Sequence, residues 1–186
     1  MISPGSLHDQ FRAASGAGDD AAPPSPRFVV LACMDRGVQP EHDLGLPAGS
    51  ARIVQNAGGR ASDDALRSLV LAWSELGAEE FVVLHHTGCT LVTHTNEALQ
   101  RAASTASGAD ASGQDFLVVA DLEGSVTDDV QRIRDHELIP ADIVVVGLVH
   151  DVDHGSLQLV VGDARSQLPI ARGNPGASPP LRLGSE

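Results

Sequence analysis

The sequence predicts an α/β protein: an open, mostly parallel β-sheet with an antiparallel edge strand, flanked by helices. Three observations carry this prediction. Short, continuous apolar runs alternate with segments of helical periodicity. The first run, "RFVVLAC", shows no polar–apolar alternation, as expected of a strand buried on both faces. The last two runs are separated only by a short stretch containing "DHGS", a turn signal that suits an antiparallel hairpin.

Taken in order, residues 27–33 are the first strand and "ARIVQ" (51–55) the second. "SDDALRSLVLAWSELG" (62–77) reads as a helix. Ser62 suits its N-cap and Gly77 its C′ position, and Ala65, Leu66, Leu69, Val70, Trp73 and Leu76 recur at helical spacing. "EFVVLHH" (80–86) is the third strand, and residues 96–104 form a modest helix. Residues 104–115 read as a surface loop. "GSVTDDVQRIRDHEL" (124–138) is a helix with Ser125 as its cap. Residues 142–151 and 157–162 are the fourth and fifth strands. The chain therefore divides into an N-terminal helix (6–14) and proline-rich linker within 1–26, a single domain over 27–163, and a flexible tail over 164–186.

Apolar residues make up 42% of the 186 residues, enough for a substantial core. Aromatics are 3% and tyrosine is absent, so Val, Leu, Ile and Ala must fill that core. The net charge of −13, with only twelve Lys and Arg, argues against nucleic acid and anionic membranes as partners. No apolar run is long enough to span a membrane, and "MISPGSLHDQ" does not read as an export signal. With two cysteines, the expectation is a cytoplasmic chain with reduced thiols.

Ligands of open α/β sheets bind at the carboxyl ends of the parallel strands. Cys33 closes the first strand, His86 closes the third, and Cys89 follows one tight turn later. The two strands become sheet neighbours if the second lies outside them. Two thiolates and an imidazole suit zinc and leave a fourth position open. Asp35, two residues past Cys33, is placed to fill that position or to bond to whatever occupies it. The same spacings also fit two buried core cysteines or, less well in a reducing compartment, a disulfide. His85 should face away from His86 and serve packing or hydrogen bonding. His42, His94, His136, His150 and His154 fall on expected surface or loop segments, His94 being notable for following Cys89. In "QNAGGR" (55–60), two glycines before a capped helix permit close backbone approach and present amides that suit a small anion.

The motifs "ACMD", "NAGGR", "DDALRSL" and "LHHTGC" stand in an order and at separations similar to those of β-class carbonic anhydrases. The resemblance is to the short, actinobacterial-type branch, which includes carbonyl sulfide hydrolase-like members, and it spans residues 27–162. It implies a zinc enzyme that hydrates carbon dioxide to bicarbonate by a zinc-bound hydroxide, working as a homodimer or a dimer of dimers. It makes Cys33, His86 and Cys89 the zinc ligands and Asp35 a catalytic residue. Gln55, Asn56, Ala57, Gly58 and Gly59 become the substrate-binding loop.

Three positions depart from the family pattern. Cys-x-Asp-x-Arg is the expected order, but here Gly37 stands at the arginine position and Arg36 comes one residue early. Gln55 replaces a common arginine, and Gly88 a common aspartate. In the family the arginine ties the aspartate down and keeps it off the metal. Without it, either Asp35 closes onto zinc as a fourth ligand, or Arg36 or Arg60 restores the tie. The departures also admit two further expectations: hydrolysis of carbonyl sulfide or carbon disulfide, and a zinc-binding but inactive homologue.

Overall fold

The computed structural model describes residues 27–170. The helix expected over 6–14, the linker, and positions 171–186 of the tail lie outside the described residues.

Five strands form one sheet: β1 (Phe28–Cys33), β2 (Ala51–Asn56), β3 (Glu80–His86), β4 (Val144–Asp151) and β5 (Ser156–Val161). Their order is β2-β1-β3-β4-β5, with the first four parallel and β5 antiparallel to β4. β2 is the outer strand, so β1 and β3 are neighbours and their carboxyl ends adjoin. β3 and β4 are buried along their whole length, which is why they read as unbroken apolar runs. The outer strand β2 is only half-buried.

The helices are α1 (Pro40–Asp43), α2 (Asp63–Ser74), α3 (Thr90–Thr93), α4 (Asn96–Ser107) and α5 (Leu122–Arg134), with a short 3₁₀ turn at Ala57–Gly59. On one face of the sheet, Val29, Leu31, Phe81, Val83 and Val145 pack with Leu66 and Leu69 of α2 and Val126, Val130 and Ile133 of α5. On the other, Val30, Ala32, Val82, Leu84 and Leu148 pack with Leu44, Leu91 and Leu168, and Cys33 and Cys89 join this cluster. α1, α3 and the 3₁₀ turn are too short to leave a periodic sequence signal.

The Ser62 cap is formed, its side chain accepting from Ala65 N. The face of α2 is narrower than its spacing suggested: Trp73 and Leu76 stay exposed, while Ala72 is buried. Ser125 is not a cap. The helix begins at Leu122 with Asp121 before it, and Ser125 is a buried residue whose hydroxyl donates to Leu122 O at 2.8 Å. Helix α4 runs three residues past its expected end at residue 104 and buries none of its residues.

The packed body continues past residue 163. Leu168 is fully buried, Ser166 Oγ bonds the buried Glu80 carboxylate, and Gln167 N donates to the same carboxylate at 2.8 Å. Residues 164–170 are thus fastened to the amino end of β3 rather than starting a free tail.

Candidate metal centre

The turn Thr87–Gly88 after β3 returns Cys89 to the end of β1, with Gly88 at φ 72°. Cys33 Sγ and Cys89 Sγ lie 3.8 Å apart, and both thiols are free and buried. One ligand atom from each of Cys33, His86 and Cys89 falls within 4.8 Å of the others, and among the described residues no other such cluster of three exists. Neither nitrogen of buried His86 has a hydrogen-bond partner. Buried imidazoles are normally satisfied, so this one is left for another kind of bond. The set can hold a metal ion.

The electrostatics agree. The Cys89 thiol hydrogen-bonds Cys33 and, against the cost of burial, draws the Cys33 pKa down to about 4, aided by His86 and by the backbone amides of Asp35 and Gly58. Cys89 is pushed up by the hydrogen bond to Cys33 and by burial, since a second thiolate beside the first is unfavourable. Burial opposes charge on His86, but the neighbouring Cys33 sulfur prevails and raises its pKa. A cation that binds thiolates removes this conflict.

The 57–60 turn takes its shape from two glycines. Gly58 and Gly59 sit at φ 77° and 68°, and a Cβ on Gly59 would lie 2.9 Å from Ala32 C and Cys33 N. Only glycine lets this turn lie against the end of β1. The group that the Gly58 amide faces is the Cys33 sulfur. Asn56 closes the turn from within, accepting from Arg60 N at 2.8 Å and donating to Arg60 O at 2.7 Å. Gln55 Nε2 donates to Cys33 O at 2.9 Å, joining the ends of β2 and β1.

A cleft of about 440 Å³ opens on the cluster, lined by Cys33, Cys89, Asp35 and Arg36 with a wall of Met34, Ala57, Gly58, Leu91, Leu99 and Phe116. Of the five expected loop residues, Ala57 and Gly58 line it. Gln55, Asn56 and Gly59 are not among its lining residues: Gln55 and Asn56 bond backbone, and Gly59 packs against the end of β1.

Asp35 lies at the exposed mouth, outside the three-ligand cluster. Its Oδ1 accepts from Gly37 N at 2.9 Å. Arg36 is also exposed, and among the described residues none pairs with its guanidinium. Arg60 does not tie Asp35. It is committed to Asp129, with Nε donating to Oδ2 at 2.7 Å, and to Leu117 O at 2.7 Å.

His85 faces the opposite side of the sheet from His86, with Nδ1 2.9 Å from Ser125 Oγ and Nε2 3.2 Å from Asp129 Oδ2. His94 is exposed and bonds Thr93 Oγ1, away from the cluster. His150 is not a surface residue. It is buried on β4 in register with His86, its Nδ1 3.3 Å from Asp43 Oδ2. Nothing in its local sequence separated it from a strand-end histidine.

The carbonic anhydrase family model matches residues 28–157. The chain belongs to the β-carbonic anhydrase family. Beta-carbonic anhydrase 1 of Mycobacterium tuberculosis is 31% identical over 138 residues, covering 74% of this chain and 84% of that protein. A carbon disulfide hydrolase of Acidianus sp. is 32% identical over 154 residues, covering 70% and 76%. Among solved structures, the carbonic anhydrase of Streptococcus mutans superposes with a TM-score of 0.73 at 39% identity, covering 86% of this chain and 99% of that one. The mixed sheet is therefore that of a β-carbonic anhydrase family member, and the Cys33/His86/Cys89 cluster lies within the matched residues. Family members act on more than one small substrate, as the two relatives' names show.

Proposed function

We propose that this chain is a zinc enzyme that hydrates carbon dioxide to bicarbonate. The observation that carries the reading is the buried Cys33/His86/Cys89 set at the end of a cleft in a β-carbonic anhydrase family member. Two sulfurs each about 2.3 Å from a tetrahedral zinc stand about 3.8 Å apart, which matches the Cys33–Cys89 sulfur separation of 3.8 Å. An S₂N donor set also favours zinc over harder cations. Bound there, zinc supplies a Lewis acid that brings the pKa of water from about 15.7 to near 7.

The protein's own residues do the rest. Cys33, His86 and Cys89 would hold the metal, and the cleft that Cys33 and Cys89 line would bring substrate to it. Gly37 N–H fixes the Asp35 carboxylate by bonding Oδ1. Oδ2 is then free to accept a hydrogen bond from the attacking water and turn its lone pair toward carbon. The apolar wall of Met34, Ala57, Leu91, Leu99 and Phe116 receives an apolar substrate and excludes bulk water. Arg36 at the mouth offers positive charge to the departing anion. In this reading Asp35 is a catalytic residue and not a fourth ligand.

A second reading, hydrolysis of carbon disulfide or carbonyl sulfide, is supported by the Acidianus relative's name and by the apolar cleft wall. Gln55 and Gly88, at positions where the family resemblance places charge, point the same way. Turnover of carbon dioxide and carbon disulfide by one zinc-loaded preparation separates the two. A larger kcat/KM for carbon dioxide supports the first reading, and a larger value for carbon disulfide replaces it with the second.

The same proposal includes a homodimer or dimer of dimers, which light scattering measures directly. It also includes a cytoplasmic location, which suits two free thiols. No described helix is long and apolar enough to cross a membrane.

A further inference from the structure

Among the described residues, Leu117 is the one non-glycine residue with a positive φ, 55°. A bulky residue in that region is strained and persists only where its surroundings hold it. The holder is Arg60. Its Nη1 donates to Leu117 O at 2.7 Å and, more weakly, to Val118 O at 3.4 Å. Its Nε and Nη2 grip the two oxygens of Asp129 at 2.7 and 3.3 Å. Both side chains are largely buried, so this fork is shielded from water and fixed in direction.

The segment is held from its other side as well. Phe116 N donates to Asn96 Oδ1 at 2.9 Å, and Val119 N donates to Leu91 O at 2.8 Å. Between these bonds stands Phe116, whose ring lines the cleft with Leu91 and Leu99. Arg60 itself does not line the cleft, and it touches none of the three candidate ligands' side chains through any hydrogen bond described here.

We propose that Arg60 is a positioning residue that sets the width of the cleft: aimed by Asp129, it holds the strained Leu117 carbonyl and so fixes Phe116 as the wall that selects small linear substrates. The proposal rests on the reading of this cleft as the substrate site. Its physical core, the clamp on residues 115–119, stands apart from any activity.

The test uses the zinc-loaded full chain and its Arg60→Met, Arg60→Lys and Phe116→Ala variants. Amide exchange is followed over residues 115–120, with residues 144–150 of β4 as the control. In Arg60→Met, exchange over 115–120 should rise about tenfold or more while β4 is unchanged and zinc is retained. Arg60→Lys, which cannot grip Asp129 with two bonds, should fall between. KM for carbon dioxide should rise about threefold or more with kcat within about twofold, the signature of lost binding rather than lost chemistry. The KM effects of Arg60→Met and Phe116→Ala should not add, because both remove one wall. Unchanged exchange over 115–120, or a rise shared by β4, overturns the clamp. Additive KM effects overturn the link to Phe116. A wild type that is inactive on carbon dioxide and carbon disulfide fails the functional reading alone, and the exchange result still decides the clamp.

Discussion

The backbone N–H of Gly37 donates to Asp35 Oδ1 at 2.9 Å. A main-chain donor thus steadies the carboxylate at the cleft mouth, at the residue where the family resemblance places an arginine. The bond depends on the N–H and not on the side chain. A Cβ on Gly37 would come no nearer to Asp35 Oδ1 than 3.4 Å, an ordinary contact. Gly37→Ala should therefore keep carbon dioxide hydration within about threefold of wild type. Asp35→Ala should lower kcat by about 100-fold or more with zinc fully retained, as for loss of a group that handles a proton. Stopped-flow rates with metal analysis check both. Zinc lost from Asp35→Ala would show instead that this carboxylate ligates the metal.

The 57–60 turn gives a sharper structural test. In Gly59→Ala the new methyl meets the β1 backbone at 2.9 Å, at a φ of 68°. Neither partner can yield, so the cost should be about 3 kcal/mol or more. Gly88→Ala shares the positive φ of 72° but meets nothing within 4 Å, and should cost only about 1 kcal/mol. Denaturant unfolding of the two variants measures the difference. Equal losses would mean that close packing against Cys33 is not what the motif's second glycine is for.

Asp129 ties stability to pH. Burial would raise its pKa, but hydrogen bonds from His85 and Arg60, and the charge of Arg60, hold it below the usual carboxylate range. A folded pKa below the unfolded value means that the unfolded chain binds more protons. Its contribution is therefore complete above about pH 4 and is lost as pH falls through the folded value. Asp129→Asn should cost about 3 kcal/mol at pH 7, because it leaves Arg60 buried without its counter-charge. The gap between wild type and variant in thermal melts should narrow as pH drops below about 4. A gap that stays constant or widens on acidification would contradict this pairing.

Leu168 tests where the packed body ends. It is fully buried among Val82, Leu84 and Leu148, although its sequence neighbourhood is rich in proline and polar residues. Leu168→Ala should lose about 2–5 kcal/mol, the usual cost of a core leucine. A loss below about 0.5 kcal/mol, typical of surface positions, would return residues 164–170 to the tail.

These cases mark what the sequence could show. β1, β3 and β4 were legible because burial on both faces leaves an unbroken apolar run. That Cys33, His86 and Cys89 converge was legible because the two cysteines and a histidine end adjacent strands or follow the next turn. Local pattern did not show what is made at long range. Arg60 and Asp129 are 69 residues apart, and Gln167 meets Glu80 from 87 away. Ser125 resembles a cap because serine before an apolar period usually is one, yet the helix starts three residues earlier and turns that hydroxyl toward His85. An amide of "NAGGR", that of Gly58, faces the protein's own Cys33 sulfur rather than a small anion from outside, and a sequence does not reveal which partner a turn will find.

The most direct measurement is a zinc titration of metal-free protein, following bound metal and carbon dioxide hydration together. Cys33, His86 and Cys89 form the one three-ligand cluster among the described residues. Hydration should therefore rise linearly with zinc and break at about one ion per chain. In Cys89→Ser both bound metal and rate should collapse. Stoichiometric zinc with no hydration above the uncatalysed rate, or hydration that does not follow zinc occupancy, would contradict the account.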